Sequence, residues 1–473
     1  MARIYCHLRR VLICVCTPCI VVALMFLYIT VMMCMAMTGK RMPLGLIHPV
    51  ENNHFVASGT ITNKSFARYP ETFWEINPHK GAFWNQLQVV VDRAFNPILR
   101  PNMFKRVSEN SMFHKSLLRR HFSQVIDSDS TRRKFEKLPQ QLQDFMSHMQ
   151  KREYPTLNQP GGVCGAGANY EKEPPLLLLA IKTTVLNFKN RQAIRKTWGQ
   201  VGWIAGQKRN SSRGGESGGY VRRVFLLGKE DPEELGVDVS KLLRLESEQY
   251  GDIIQWDFKD TFFNLTLKDV LFWSWFSRFC NHTHFVFKGD DDVFVNTLNM
   301  IAFLQDQLEM QQENKTLQDF MVGDVIGAAL PSRVNKSKYF IPDSFYKGFY
   351  PSYAGGGGVV YSGLLAKRLH NISRRVQLFP IDDVYVGMCM FRLNAHPVYH
   401  PAFLTFDFPS KEEEEMCSYH TILLVHKRSP NQVVELWAHM KNTQTQCWNV
   451  TLRDTNKGKN KVKNKPKLIV PPK

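Results

Sequence analysis

Acidic side chains are in short supply in this chain: 42 Asp and Glu stand against 61 Lys and Arg, a formal charge of +19. The imbalance points to anionic partners, whether nucleic acid, a membrane surface or a phosphorylated ligand. Nucleic acid fits worst, because the basic residues are scattered. The one dense basic run, KGKNKVKNKPK at 457–467, has no interleaved aromatics and reads as a solvated, disordered tail. No G-x-x-x-x-G-K-[ST] run occurs, which argues against a Walker-type ATPase. Beyond residue 40 cysteine is rare, and Cys164, Cys280, Cys389, Cys417 and Cys447 show no C-x-x-C spacing, so zinc is not expected. An odd number implies two disulfides and one thiol left free or joined to another chain, with the pairing unreadable.

Long apolar runs are missing too, with one exception. Residues 11–37 carry no charge and are long enough to cross a bilayer with tilt. No small-residue cleavage site follows, so a signal-anchor is expected rather than a cleaved signal peptide. Arg3, Arg9 and Arg10 before the run and Lys40 and Arg41 after it give a slight positive-inside bias. The expectation is a type II membrane protein, with residues 1–10 cytosolic, 11–37 spanning and everything beyond lumenal. Eight Asn-X-Ser/Thr acceptors, at Asn63, Asn210, Asn264, Asn281, Asn314, Asn335, Asn371 and Asn449, all lie on the lumenal side of that span. A secretory lumen excludes nucleic acid as a partner.

Residues 38–175 are polar and punctuated by proline, as in a stem, yet TFWEINPHKGAFWNQLQ and FNPIL place aromatics where a linker needs none. Part of the stem is therefore expected to pack on the domain that follows, 176–450, with a basic tail at 451–473. From residue 176 strand and helix signals alternate. LLLLAIK (176–182) is a continuous apolar run, as in a strand buried on both faces. RQAIRKTWG reads as a helix closed by Gly199, VRRVFLLG as a strand, LLRLESEQYG as a helix and DIIQW as a strand. TLKDVLFWSWFSRFC reads as a helix with a capping box of Thr266 and Asp269, and HFVFK as a fourth strand. The alternation predicts an α/β fold, a mostly parallel sheet with helices on both faces. Ligands in such sheets bind outside the carboxyl ends of the strands, at a topological switch point.

FKGDDDVFVN (287–296) sets Asp290, Asp291 and Asp292 side by side in an apolar stretch. Like charges at that spacing repel, and an ionised carboxylate is costly to bury alone. A hard divalent cation, Mg²⁺ or Mn²⁺, answers the charge problem and would bridge to a nucleotide diphosphate. YAGGGGVVYSG (353–363) reads either as a flexible loop or as backbone closely approaching a ring-shaped ligand between Tyr353 and Tyr361. In FPIDDVYVG (379–387), Asp382 and Asp383 suit a helix cap or a partly desolvated general base.

Together KGDDDVFVN, YAGGGGVVYSG, FPIDDVYVGMC and RQAIRKTWG, in this order and spacing, resemble the β-1,3-glycosyltransferases of the secretory pathway. DTFFNLTLK, FYPSYAGGGG and FWEINPHKGAFWNQL…FNPIL resemble most closely the β-1,3-N-acetylglucosaminyltransferases that extend poly-N-acetyllactosamine. The resemblance implies a GT-A (Rossmann-like) fold, a UDP-GlcNAc donor, a galactose-terminated glycan acceptor and a place in the Golgi membrane. It implies a metal site at Asp290 and Asp292, completed by His426 of LLVHKR, and a catalytic base at Asp383. Lys182, Arg191, Arg195 and Trp198, with Asp290 and Asp291, match the donor-binding side, and Tyr353, Gly355, Gly356, Gly357 and Asp382 match the sugar pocket.

The chemistry expected from an α-linked donor and a β-linked product is a single in-line displacement with inversion. Phe379 and Tyr385 are expected to exclude water. A β-1,3-galactosyltransferase shares most of these motifs. An inactive scaffold for another transferase shares the fold, though the carboxylates such a protein would be free to lose are all present.

Overall fold

A computed structural model describes residues 82–95, 138–164, 174–206, 218–230, 238–312 and 317–453, together with residues 25, 136, 233 and 236. The span expected at 11–37 (Met25 apart), Asn63, Asn210, Asn314 and the basic tail from residue 454 lie outside them. No helix among the described residues is long and apolar enough to cross a membrane.

The apolar run near residue 180 becomes β2 (Leu177–Lys182), buried on both faces. Leu178 and Ala180 enter one apolar cluster, Leu177, Leu179 and Ile181 the other. Alternate side chains thus feed two cores, which is why the run is unbroken rather than alternating. On one side β2 pairs in parallel with β4 (Gly218–Lys229), which pairs in parallel with β5 (Ile253–Lys259). On the other side it pairs in parallel with β6 (Phe285–Asp290). The order therefore reverses between β2 and β6, and Lys182 and Asp290 face each other at the two carboxyl ends.

Beyond β6 the sheet departs from the expected parallel pattern. β11 (Gly358–Ser362) runs antiparallel to β6 and to β8 (Met321–Gly323), and β12 (Val398–Tyr399) closes the edge parallel to β8. Short strands β1 (Thr156–Asn158) and β3 (Gly202–Ala205) join antiparallel to β5 and β4, giving nine strands. The antiparallel return depends on glycine. Gly358 lies opposite Gly289, and a Cβ on either would meet the Phe287 ring at 2.7 or 2.4 Å. Two glycines let the backbones close over that ring.

One face of the sheet carries α1 (Phe83–Phe95), α2 (Gln140–His148), α5 (Leu265–Phe279), α7 (Gly363–Ser373) and α8 (Asp382–Arg392). The other carries α3 (Phe188–Lys196), α4 (Ser240–Tyr250), α6 (Thr297–Gln312) and α9 (Pro430–Thr443). α1 lies within the stretch read as stem. Its Trp84 Nε1 donates to Leu378 O at 3.0 Å, and its Asp92 accepts from both arms of Arg392 at 2.9 and 2.8 Å.

Cys164 pairs with Cys280 and Cys417 with Cys447, leaving Cys389 as a buried thiol. The capping box expected of Thr266 and Asp269 does not form. α5 begins one residue earlier, at Leu265, without a side-chain cap. Thr266 instead donates to Phe379 O at 2.6 Å, and Asp269 turns into the core.

Candidate active site

At the carboxyl end of β6 the three aspartates part company. Asp291 is buried and turned back, its Oδ2 accepting from Thr183 Oγ1 and from Asn187 Nδ2, the latter at 2.9 Å. Burial pushes its carboxyl up to about 6, against the pull of those two hydrogen bonds. Asp290 and Asp292 face outward. A second small sheet, β13 (Phe403–Leu404), β14 (Leu424–His426) and β7 (Val293–Val295), brings His426 opposite Val293 and so beside them.

Asp292 Oδ1 lies 3.2 Å from His426 Nε2, and one ligand atom from each of Asp290, Asp292 and His426 falls within 4.8 Å of the others. Two carboxylate oxygens and one imidazole nitrogen, half-buried at a strand end, fit a divalent cation. The charges say the same. Burial raises Asp290, while His426 holds Asp292 low despite burial and is itself raised by Asp292. A cation would replace the proton on this pair.

The glycine run forms the floor. Gly357 has φ +77, its carbonyl accepts from Asp290 N at 3.0 Å, and a Cβ there would meet His426 Cγ at 2.9 Å. Gly356 lies against Thr405 and the same imidazole, and Gly355 against Ile326. The rings these glycines approach are thus protein side chains. Tyr361 is fully buried, accepting from Trp273 Nε1 at 3.2 Å. Tyr353, on β10 (Tyr353–Ala354), which pairs with β9 (Val325–Ile326), is half-buried and packs on Gly387 of α8.

α8 starts at Asp382, with Ile381 at the cap position and no side-chain cap. The Asp382 carboxylate is spent instead on Lys182, with Lys288 3.6 Å away. Asp383 Oδ1 lies 3.4 Å from Lys288 and is the more open of the two, 23% against 12% side-chain exposure. Asp269, on α5 and fully buried, reaches both lysines, 3.4 Å from Lys182 and 3.1 Å from Lys288. Burial pushes Asp383 up to about 7, with the charge of Asp382 adding to it. Asp382, more enclosed still, is held well below the usual carboxylate range by Lys182 and Lys288. Neighbouring carboxyls driven apart in this way divide into a fixed anion and a proton acceptor.

Residues 189–401 match the galactosyltransferase family. The chain is 40% identical over 377 residues to N-acetyllactosaminide β-1,3-N-acetylglucosaminyltransferase 2 of Homo sapiens, covering 80% of this chain and 89% of the relative. The chain belongs to the β-1,3-N-acetylglucosaminyltransferases of this family. It is also 36% identical over 373 residues to UDP-GlcNAc:βGal β-1,3-N-acetylglucosaminyltransferase 7 of Rattus norvegicus, covering 78% of this chain and 85% of that one. Among solved structures, galactosyltransferase LgtC with donor and acceptor sugar analogs matches at a TM-score of 0.27 and 10% identity, over 60% of this chain and 100% of that chain, too loosely to carry an argument.

In this transferase the other residues expected on the donor side sit deeper. Arg191 is bound to Glu246 at 2.9 and 2.6 Å, and Arg195 to Glu246 and Asp252 at 2.6 and 2.7 Å. Trp198 is fully buried against Phe287. Phe379 and Tyr385, expected to exclude water, are fully buried in the aromatic core below α8 and line no opening. The acidic run at 412–415 is anchored, Glu413 to Arg428 at 2.9 Å and Glu412 to Arg453. Arg428 N in turn donates to Asp292 O at 2.7 Å, so this anchor reaches the turn that carries the candidate metal ligands. Sequence reasoning missed Lys288 and Asp269. A lysine ending the apolar run HFVFK was the available signal for the first; Asp269 was hidden by its suitability as a cap.

Proposed function

We propose that the chain transfers N-acetylglucosamine from UDP-GlcNAc, in β-1,3 linkage and with inversion, to galactose-terminated glycans, extending poly-N-acetyllactosamine. The observation that carries this is Asp383, a partly exposed, proton-accepting carboxylate on the first turn of α8, set 3.4 Å from Lys288 on the strand that leads into Asp290 and Asp292. The identity to named β-1,3-N-acetylglucosaminyltransferases supports the donor and the linkage. A GT-A fold, a type II anchor at 11–37 and residence in the Golgi membrane belong to the same reading.

Asp383 takes the proton of the galactose 3-hydroxyl as that oxygen bonds to the anomeric carbon. The bond from that carbon to the UDP oxygen breaks in the same step, its electron pair leaving with the diphosphate, so no covalent enzyme intermediate forms. Asp382, locked on Lys182, stays ionised and keeps Asp383 basic. A divalent cation, Mn²⁺ or Mg²⁺, held by Asp290, Asp292 and His426, would supply positive charge to the diphosphate leaving group.

The test is a panel of UDP-GlcNAc and UDP-galactose against N-acetyllactosamine acceptors, using the purified chain with and without chelator. Transfer of N-acetylglucosamine, lost in chelator and restored by Mn²⁺, is the expected result. Transfer from UDP-galactose would assign the sister activity. UDP binding without any transfer would leave the scaffold role.

A further inference from the structure

Beneath the candidate base lies a closed charge cluster whose deepest member touches neither the base nor the open site. Lys288 Nζ stands 3.1 Å from Asp269, 3.4 Å from Asp383 and 3.6 Å from Asp382. Lys182 Nζ pairs with Asp382 and lies 3.4 Å from Asp269. Asp269 is fully buried in α5, so its charge has no solvent to answer it, only the two ammonium groups.

With Asp383 ionised, the cluster holds three carboxylates against two lysines and carries one net negative charge. With Asp383 protonated, it is neutral. Uncompensated charge is costly in so enclosed a place, so the neutral, proton-bearing state is favoured. We propose that Asp269 is a positioning residue that sets the basicity of Asp383 by holding Lys288 back from it. This deepens the general-base reading above and rests on it. Without the Asp269 charge, two lysines balance Asp382 and an ionised Asp383, and Asp383 becomes a poor proton acceptor. The other groups facing Asp383 are Asp290 on β6 and Tyr353 on β10. Both are present in all three variants.

The experiment is the pH dependence of kcat/KM at saturating Mn²⁺ for the full chain and three variants. Asp269→Asn should move the acid limb down by about one pH unit and lower the plateau, because an opposite charge is freed toward the base. Lys182→Met should move the limb up by about one unit, since it leaves the cluster more negative. The charge-balanced pair Asp269→Asn/Lys182→Met should return it to the wild-type position. A purely structural role would lower the rate in all three and leave the limb in place. An unmoved limb, or a shift of the wrong sign, in any variant that folds overturns the proposal. Asp383→Asn is measured beside them: turnover retained there overturns the base assignment itself, whatever the limbs do.

Discussion

Asp382 and Asp383 are adjacent in the chain, share a helix start and a neighbour in Lys288, and differ chiefly in Lys182. That one ammonium fixes Asp382 as an anion and leaves the next carboxyl to carry the proton. Asp383→Asn should lower turnover by about 10²–10⁴-fold while UDP-GlcNAc affinity, read by calorimetry, stays near normal. Asp382→Asn leaves Lys182 with Asp269 alone, at 3.4 Å, and should cost about 3 kcal/mol in a thermal or urea melt, the usual scale for breaking a buried pair. A base must be deprotonated to act, so kcat/KM should climb with pH through about 7, where burial and Asp382 place Asp383, and level off above it. An acid limb near pH 4 would show an unperturbed carboxylate instead. At the candidate metal site, Asp292→Asn keeps the shape but removes the charge of one proposed ligand. It should weaken Mn²⁺-dependent UDP binding at least about tenfold, as measured by titration, with the melt slightly lower because the pairing with His426 that holds Asp292 low is lost.

At the scale of elements, β14 and the glycine floor decide whether His426 meets the aspartates. Gly357→Ala adds a Cβ 2.9 Å from His426 Cγ at a backbone φ of +77, so both the ring and the strand must give. The expected loss is about 1–3 kcal/mol of stability together with a raised Mn²⁺ requirement, whereas Ser352→Ala, at an exposed position just before β10, should change neither.

Much of this layer was legible in the sequence. The apolar run of β2 and the strand entering the aspartate triplet are set by local periodicity, and each appears where that signal falls, whereas α3 stops at Lys196 with Thr197 rather than Gly199 at its cap. The rest was not, for a physical reason. Thr266 and Asp269 have capping chemistry, but their partners, Phe379 O and the two lysines, arrive from remote strands and helices and outbid a local cap. The antiparallel return of β11 likewise depends on Gly289 and Gly358 meeting across Phe287, a contact between distant segments that no window of sequence contains. The candidate carboxylates were readable because unpaired charge in an apolar stretch is anomalous in itself. Asp269 was not, because a lone acid near a helix start is ordinary.

Among the described residues, α1 and α8 tie together segments far apart in the chain. Asp92 and Arg392 form a buried two-armed pair separated by 300 positions, and Trp84 reaches the carbonyl of Leu378, a few residues before the base. Arg392→Met leaves Asp92 buried without its cation and should cost about 3–5 kcal/mol, seen as a lower melting temperature and a lower secreted yield, with kcat of the surviving protein little changed. A chain shortened to begin at residue 138 should show the same loss, although it keeps every candidate catalytic residue.

That pair also sets a timetable. Synthesis proceeds from the N-terminus at about 5–20 residues per second, so α1 is made some 15–60 s before Arg392 exists. Over that interval Phe83, Trp84, Leu87 and Val91 have no finished core to enter. The earliest of the packed helices is thus among the last to find its place, and the newborn chain must keep that stripe from sticking elsewhere until its partner is made.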